Sequence, residues 1–319
     1  MRRSVEENSF TRFSRLLTPH SWAVIRVLVA SVLWGISGTA AQELFVRFKM
    51  DPMWLLWCRM LAGGLVLVAA LILRGNLPRL KTLLASKRDV WHMIVYAIFG
   101  LGLVQMTYLL GISDGNAVAA TVLQFLAPVL LSFYLAIKAA KVPRIGEMLT
   151  LILAVGGTVL LLSNGKLGTL VVPLSAIGWG LGSAVASAFN TYFPTRLIRS
   201  YGPILVVATA SVFDGVVLGP LEITKSLPPM NQFADLLLIF IVVFGTALPW
   251  ALFLSSLPHL APVEAVVILG AEPISSAVVG VSLLNAPFGP LGLLGGLATI
   301  LAVVQLTRSK DHDPVKPLF

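Results

Sequence analysis

The chain has 319 residues, a length that ordinarily holds one or two soluble domains. Hydrophobic residues make up 57% of it and charged residues only 12%, against roughly 45–50% and about 25% in soluble domains. No compact soluble fold buries that much apolar surface, so the chain reads as an integral membrane protein. The net charge of +9 would point to a nucleic-acid partner on a soluble protein, and here needs a different explanation.

Apolar runs of about 20 residues can cross a bilayer as helices. Taken in chain order, ten are expected: Arg26–Phe45, Met53–Leu73, Trp91–Leu110, Ala117–Ala136, Ile145–Leu162, Pro173–Phe193, Pro203–Leu218, Ala234–Leu254, Val263–Leu284 and Leu291–Leu306. The seventh and tenth are short and call for thinning of the bilayer or snorkelling flanks. What remains makes short loops and two tails, with no room for a soluble catalytic domain. Gly38-Thr39-Ala40-Ala41 resembles a signal-peptide cleavage site, but the polar lead is too long and the apolar stretch exceeds the usual 7–15 residues. Cys58 is the only cysteine, so no intramolecular disulfide forms, and no metal-ligand spacing exists.

The basic residues explain the net charge. With a cytoplasmic N-terminus, 17 of the 23 Lys and Arg fall in inner segments and 4 in outer loops, Arg47, Lys49, Lys166 and Lys225. This bias places both termini in the cytoplasm. Residues 1–25 and 308–319 are then cytoplasmic tails.

The chain also repeats itself. At a fixed offset of 145 residues, Trp34-Gly35 aligns with Trp179-Gly180, Phe99-Gly100 with Phe244-Gly245, and Pro128 with Pro273. The second and seventh runs show no convincing match. Each half, 26–165 and 170–307, holds five runs. An odd number forces the second half to enter the membrane in the opposite sense. The fold class expected is an all-α integral membrane protein of ten transmembrane helices in two inverted five-helix repeats. Inverted repeats are a common architecture of secondary transporters, with the substrate near the midplane.

The sequence resembles the EamA family of the drug/metabolite transporter superfamily over about Ser21 to Thr307. The resemblance rests on Asn116-Ala117-Val118-Ala119-Ala120 through Pro128, on Ile145-Gly146 and Gly156-Gly157, on Ala261 to Pro273, and on the glycine-rich Gly289–Gly296. Arg59 also fits. The resemblance implies a ten-helix carrier, functional as a monomer, that exports amino acids or other small metabolites. Such proteins often carry a Glu after the fourth and ninth spans. Here those places read Ala136-Ile137-Lys138 and Leu284-Asn285-Ala286, so that residue's role is not carried over.

Charges inside a membrane are functional by default. Glu272 lies midway along the ninth run beside Pro273, and its repeat mate is Ala127. It is the leading candidate for binding a proton or a cationic group, with an ion pair to Arg59 as the structural alternative. Arg59 lies about 12 Å along its helix, at about 1.5 Å per residue. It reads as a packing ion pair, a snorkel, or a ligand for a carboxylate. Asp214 is expected near the outer end of a weakly defined span, and Glu264 at a helix start complements the helix dipole.

Around these, Trp34 and Trp179 are repeat mates, with Ser37 and Ser183 about a turn away. Gln105 and Tyr108 share a helix face, Trp250 takes the place of Gln105 in the second half, Gln124 lies a turn before Pro128, and Asn190 lies late in the sixth run. Interhelical hydrogen bonding explains each singly; together they suggest a polar–aromatic pocket. Pro128 and Pro273 are expected helix breaks for gating. Trp22, Trp54 and Trp91 are expected interface anchors. Gly178/Gly182, Gly215/Gly219 and Gly292/Gly296 have the spacing of close helix contacts.

Enzymatic readings fare poorly. Gly35-Ile36-Ser37-Gly38 resembles the serine motif of rhomboid proteases, but His20, His92, His259 and His312 all lie in tails or at span ends, so no base is at hand. No phosphate-binding loop appears. The sequence therefore predicts a secondary transporter rather than an enzyme. It moves a small polar or amphipathic metabolite outward across the cytoplasmic membrane by alternating access. An uptake carrier and a non-transporting membrane scaffold or receptor are the alternatives. No cofactor, metal or nucleic acid is expected; the partners are lipid, the metabolite and a candidate proton.

Overall fold

The computed structural model describes residues 18–75, 77–138, 145–166, 170–225, 228–260 and 262–310. The expected tails therefore lie largely outside the described residues, as do the inner cations Arg2, Arg3, Arg12, Arg15, Lys141, Arg144 and Lys316. Among the described residues there is no strand.

Helices begin where the sequence supplies caps. Thr18 opens α1 (Pro19–Phe48) by accepting the Ser21 N–H at 3.2 Å. Asp51 opens α2 (Pro52–Leu73) by accepting from Met53 and Trp54. The short α3 (Leu77–Ala85) follows, and then α4 (Lys87–Val95), capped by Ser86. α4 runs through a wide π turn (Tyr96–Gly102) into α5 (Leu103–Asp114). Asn116 caps α6 (Ala117–Gln124), which stops before α7 (Ala127–Lys138).

Next come α8 (Ile145–Ser163), α9 (Leu174–Tyr192), the connector α10 (Thr195–Tyr201) and α11 (Pro203–Glu222). Asn231 caps α12 (Gln232–Val242), which passes through a second π turn (Val243–Ala247) into α13 (Leu248–Ser256). The chain ends with α14 (Pro262–Leu269), α15 (Ala271–Leu284) and α16 (Pro290–Lys310).

Among the described residues, seven stretches are long and apolar enough to cross a membrane: Pro19–Phe48, Pro52–Leu73, Lys87–Asp114, Ala117–Lys138, Pro203–Glu222, Gln232–His259 and Glu264–Leu284. Two shorter apolar helices are Met148–Ser163 and Pro290–Gln305. This is an all-helical, multi-pass membrane protein. The sixth expected span, α9, is absent from the apolar set because small and polar residues fill it, including Gly178, Gly180, Gly182, Ser183 and Asn190.

Two sequence expectations are corrected here. The seventh run does not end at Leu218: α11 continues to Glu222 with Pro220 inside it. Glu222 can end a buried helix because Lys225 pairs with it at 2.8 Å. Trp54 is not an interface anchor; it is 9% exposed and packs edge-on to Trp57. Trp91, at 64% exposed, keeps the outward position expected of an anchor.

Packing follows a rule. α2 pairs with α11, and α8 with α16. α1 packs on α13, α14 and α15, while α9 packs on α5, α6 and α7. Exchanging the two halves leaves this scheme unchanged. The apolar interior divides the same way. One cluster draws on Leu44, Leu55, Tyr96, Leu109, Val206 and Ile241. The other draws on Val118, Val122, Leu161, Ala184 and Val303.

α2 and α11 also match, although their sequences did not align. Counted from Pro52 and Pro203, the buried Leu55, Leu56, Arg59, Met60, Gly63 and Gly64 correspond to Val206, Val207, Ala210, Ser211, Asp214 and Gly215. The α10 connector shifts the register, which hides the match from a fixed offset.

Close contacts fall at particular glycines. α8 and α16 cross at Gly157 and Gly295: a Cβ on Gly157 would lie 2.6 Å from the Gly295 carbonyl oxygen. Thr158 and Thr299 bond beside the crossing at 3.2 Å. Gly215 packs on Leu61 of α2. Gly178, expected at a helix contact, faces open space, and Gly180 instead meets Leu123. The step of about 100° per residue makes neighbouring glycines point in different directions.

Lys225 also reaches Asp51 at 3.2 Å, joining the start of α2 to the end of α11. Burial opposes ionisation of Asp51, but the Trp54 N–H, Lys225 and the Met53 N–H outweigh it and hold the carboxyl below its usual value. The bond to Glu222, with Asp51 adding to it, holds Lys225 above its usual value despite some burial. The stability from this pair is therefore complete between the ordinary values of 3.8 and 10.5. It is lost as pH falls through the folded value of Asp51 or rises through that of Lys225. Lys225→Met should flatten the alkaline limb of a thermal-stability profile against pH and weaken the acid one, and, because it leaves the buried Glu222 carboxylate without its partner, should cost about 1–3 kcal/mol at neutrality.

The α8–α16 crossing gives a sharper test. Gly157→Ala should destabilise the purified protein by about 1–3 kcal/mol through overpacking. Gly156→Ala, which meets nothing within 4 Å, should leave its melting temperature unchanged or slightly raised.

Candidate functional site

The first helix carries the site's framework. Along Trp34-Gly35-Ile36-Ser37-Gly38, each small residue receives a different neighbour. Gly35 lies against Ser275 and the Glu272 carbonyl of α15, Ser37 against Gly245 of the second π turn, and Gly38 against the Tyr108 hydroxyl of α5. The stretch that resembles a protease motif is thus a crossing point of four segments. His20 bonds Glu264, His92 bonds the Arg88 carbonyl, and His259 lies in a 3-10 turn; none of these three bonds to Ser37.

Arg59 enters this crossing from α2 and is 4% exposed. It donates to Thr246 Oγ1 at 3.3 Å and to the Gly245 carbonyl at 3.5 Å. Thr246 in turn donates to the Ile241 carbonyl, five residues back, at 2.9 Å. The π turn thus sets a carbonyl and a hydroxyl toward the guanidinium. Gly63, one turn on from Arg59, is needed for this approach, since a Cβ there would lie 2.7 Å from Thr246 Cγ2.

Glu272 sits in the first turn of α15, half-buried, beside the break at Gly270. Arg59, Tyr108 and Glu272 interact electrostatically. Among the described residues, no ion pair joins Arg59 to Glu272. Tyr108 shares a hydrogen bond with Thr121 of α6 at 3.0 Å, and Thr121 donates to the Ala117 carbonyl. Pro128 and Pro273 each lie in the first turn of the second half-helix, directly after the breaks. Neither donates an N–H, so the Gln124 and Leu269 carbonyls lose their usual helical partners.

Aromatic rings form one wall. Trp34 meets Trp250 edge-on at 5.1 Å and Phe253 at 5.7 Å. Trp250 Nε1 is buried without a hydrogen-bond partner. Phe253 was missed by sequence reasoning, although it lies three residues from Trp250 on the same helix face. Thr246, Thr121 and Ser275 were missed too, being common residues in an apolar chain.

Other expected site residues go elsewhere. Gln124 donates to Ser183 at 2.8 Å, and Ser183 donates to the Val104 carbonyl at 3.3 Å. These two tie α6, α9 and α5 together. Gln105 is buried in α5. Trp179 does not join its repeat mate: its Nε1 donates to Asp114 at the end of α5, at 3.1 Å. Asp214 is not at a solvated helix end. It is 5% exposed, well inside α11, against the first π turn. Asn190 lies against the same turn. Lys138 donates to the Tyr192 hydroxyl at 2.8 Å.

Among the described residues, broken helices and charged side chains held between apolar segments fit a multi-pass membrane transporter. The comparisons agree. The sequence profile of the EamA-like transporter family matches residues 21–163 and again 174–308, and the chain belongs to that family. It is 33% identical to the uncharacterised inner membrane transporter YicL of Salmonella typhimurium, covering 89% of this chain and 94% of that one. It is 23% identical to the uncharacterised inner membrane transporter YedA of Escherichia coli, over 90% and 91% of the two chains. It is 21% identical to the uncharacterised transporter YwfM of Bacillus subtilis, over 89% and 93%. A solved crystal structure shares the fold with a TM-score of 0.62 at 18% identity, covering 89% of this chain and 95% of its own.

The contact between Gly38 and Tyr108 is testable alone. A Cβ on Gly38 would collide with the hydroxyl but lie 3.6 Å from Tyr108 Cζ. Gly38→Ala should destabilise by about 1–3 kcal/mol. Adding Tyr108→Phe should restore most of that loss, and a double-mutant cycle on melting curves would read the coupling directly.

Proposed function

We propose that the protein is a secondary transporter that moves a small polar or amphipathic metabolite, an amino acid or a related compound, outward across the cytoplasmic membrane. Ten segments cross the bilayer, as two inverted repeats over 26–165 and 170–307, with both termini in the cytoplasm. The packing scheme that survives exchange of the halves supports this, as does the double match of the family profile. α9 crosses with its polar face turned inward, so its low hydropathy is not an obstacle.

The observation that carries the reading is that a buried cation and a carboxylate from the two halves are both brought to α1: Arg59 is held at the second π turn, which packs on Ser37, and Glu272 opens α15, which packs on Gly35. Among the described residues no ion pair joins them. A zwitterion offers a carboxylate to the first and an ammonium to the second, and the Trp34–Trp250–Phe253 wall accepts an apolar part. The two halves exchange conformations and open this centre to each side in turn. Glu272 carries a proton when no ammonium is bound, which couples flux to pH.

Thermal-shift screening of the purified chain with amino acids, amines and carboxylates should find compounds that raise the melting temperature. Glu272→Gln and Arg59→Gln should each weaken that binding at least tenfold. In liposomes, Glu272→Gln should also lose the pH dependence of flux. A Glu272→Gln protein with wild-type affinity and pH dependence would contradict the assignment. Binding without flux would contradict transport.

A further inference from the structure

One group of contacts breaks the exchange of halves. Besides its partners in the second half, α1 packs on α5 and α6, and α6 packs on α15. The exchanged contacts, α9 on α13 and α14 and α14 on α7, have no comparable extent among the described residues. The bundle is therefore shut at one end and not at the other. The shut end is the one toward which α1 runs, the outer end in the topology proposed above.

The seam at that end is close. A Cβ on Gly280 of α15 would lie 2.8 Å from Val118 Cγ2 of α6 and 3.7 Å from Thr39 Cγ2 of α1. A Cβ on Gly38 would lie 3.7 Å from Ala117 Cβ. Thr39, Ala41, Ala117, Val118, Ala119 and Ala120 are all buried. Burial keeps water from the start of α6, where a helix has several N–H groups to satisfy. Asn116 Oδ1 accepts from Ala119 at 2.9 Å. Gln42 Oε1, buried on α1, accepts from Ala117 at 2.8 Å. The second of these bonds crosses the seam, so it exists only while α1 lies against α6.

The repeat gives the other end no such bond. At the offset of 145 residues, Gln42 corresponds to Ser187 and Ala117 to Pro262. Ser187 is half-buried in α9, with a much shorter side chain than glutamine. Pro262 is the first residue of α14 and has no N–H to donate. Closing that end forms no bond of this kind, and opening it exposes no donor.

We propose that Gln42 is a latch. Its bond to the start of α6 holds the outer end shut, and Pro262 denies the inner end an equivalent, so the unloaded carrier rests open toward the cytoplasm. This device rests on the transport reading above and adds which end is favoured and by which residue. A carrier resting open inward offers its centre to a cytoplasmic metabolite, as export requires. Gln42 is a positioning residue: it sets the balance between the two openings without touching the cargo.

The test reads that balance without cargo. In the full chain carrying Cys58→Ser, the exposed Val46 of α1 and Ser113 of α5 are changed to cysteine and spin-labelled, and their distance distribution is measured in nanodiscs. The background protein should show mainly the short distance. Gln42→Met, which keeps the volume and removes the acceptor, should raise the ratio of long to short distances about three- to tenfold, the effect of one net hydrogen bond. A purely structural role would lower the melting temperature without moving the ratio. Ser187→Gln with Pro262→Ala supplies the missing pair at the inner end and should raise the same ratio with Gln42 intact; it is read alone if Gln42→Met does not fold. A ratio that either variant leaves unmoved would overturn the latch, and transport would stand as long as both distances occur. A long distance absent from every protein would overturn the latch and contradict alternating access as well.

Discussion

A guanidinium buried between helices governs the arrangement. Arg59 cannot be left bare in a low-dielectric interior, because each unsatisfied donor there costs several kcal/mol, on the order of a lost hydrogen bond or more. Its partners, Thr246 Oγ1 and the Gly245 carbonyl, are available because the backbone widens into a π turn at Val243–Ala247. That turn can be reached because Gly63 and Gly245 have no side chains, and Ser37 fills the gap over Gly245. One charge thus fixes how α1, α2 and α12–α13 approach. The first helix, so positioned, brings Gly35 onto α15 and Gly38 onto Tyr108. Glu272 and Tyr108 then lie within the field of the arginine.

The same construction recurs in the other half with its chemistry changed. The first π turn also sits at a Phe-Gly pair, and the matching helix also brings a charged residue to it, but that residue is Asp214. Each half therefore widens one helix where a charge arrives from its neighbour. Each half also breaks a helix just before a proline, at Phe125-Leu126 and at Gly270. Widened and broken helices are places where the backbone can change its hydrogen bonding without unfolding. A protein that alternates between two openings needs such places in both halves.

Much of this was legible from residue patterns. The membrane class followed from composition, Pro128 and Pro273 were expected as the helix breaks, and the repeated Trp-Gly and Phe-Gly pairs stood out as repeat markers, although the π turns at Phe-Gly were not expected. They were legible because these residues are rare enough to register against an apolar background. The match of α2 to α11 was not, because α10 changes the loop length. Which glycine of a run makes the tightest contact was not either: Gly295 packs on the Gly157 carbonyl of α8, while the well-spaced Gly292 and Gly296 meet Leu161 further along it. Trp179 shows a further limit. Its repeat mate Trp34 meets aromatic rings, while Trp179 meets Asp114, since a shared position in a repeat does not fix the neighbouring side chain. Asp214 was expected near the outer end of a weakly defined span; α11 continues to Glu222 and carries it inside.

The central claim is that one centre between the halves opens to each side of the membrane in turn. With Cys58 replaced by serine the chain has no cysteine, and a single cysteine can be placed at Trp250, whose ring meets Trp34 edge-on. Its labelling by a membrane-impermeant thiol reagent, in right-side-out and in inverted vesicles, tests the claim most directly. Alternating access predicts labelling from both sides, with protection from each by a bound substrate. Labelling from neither side, or from one side alone under all conditions, would contradict it.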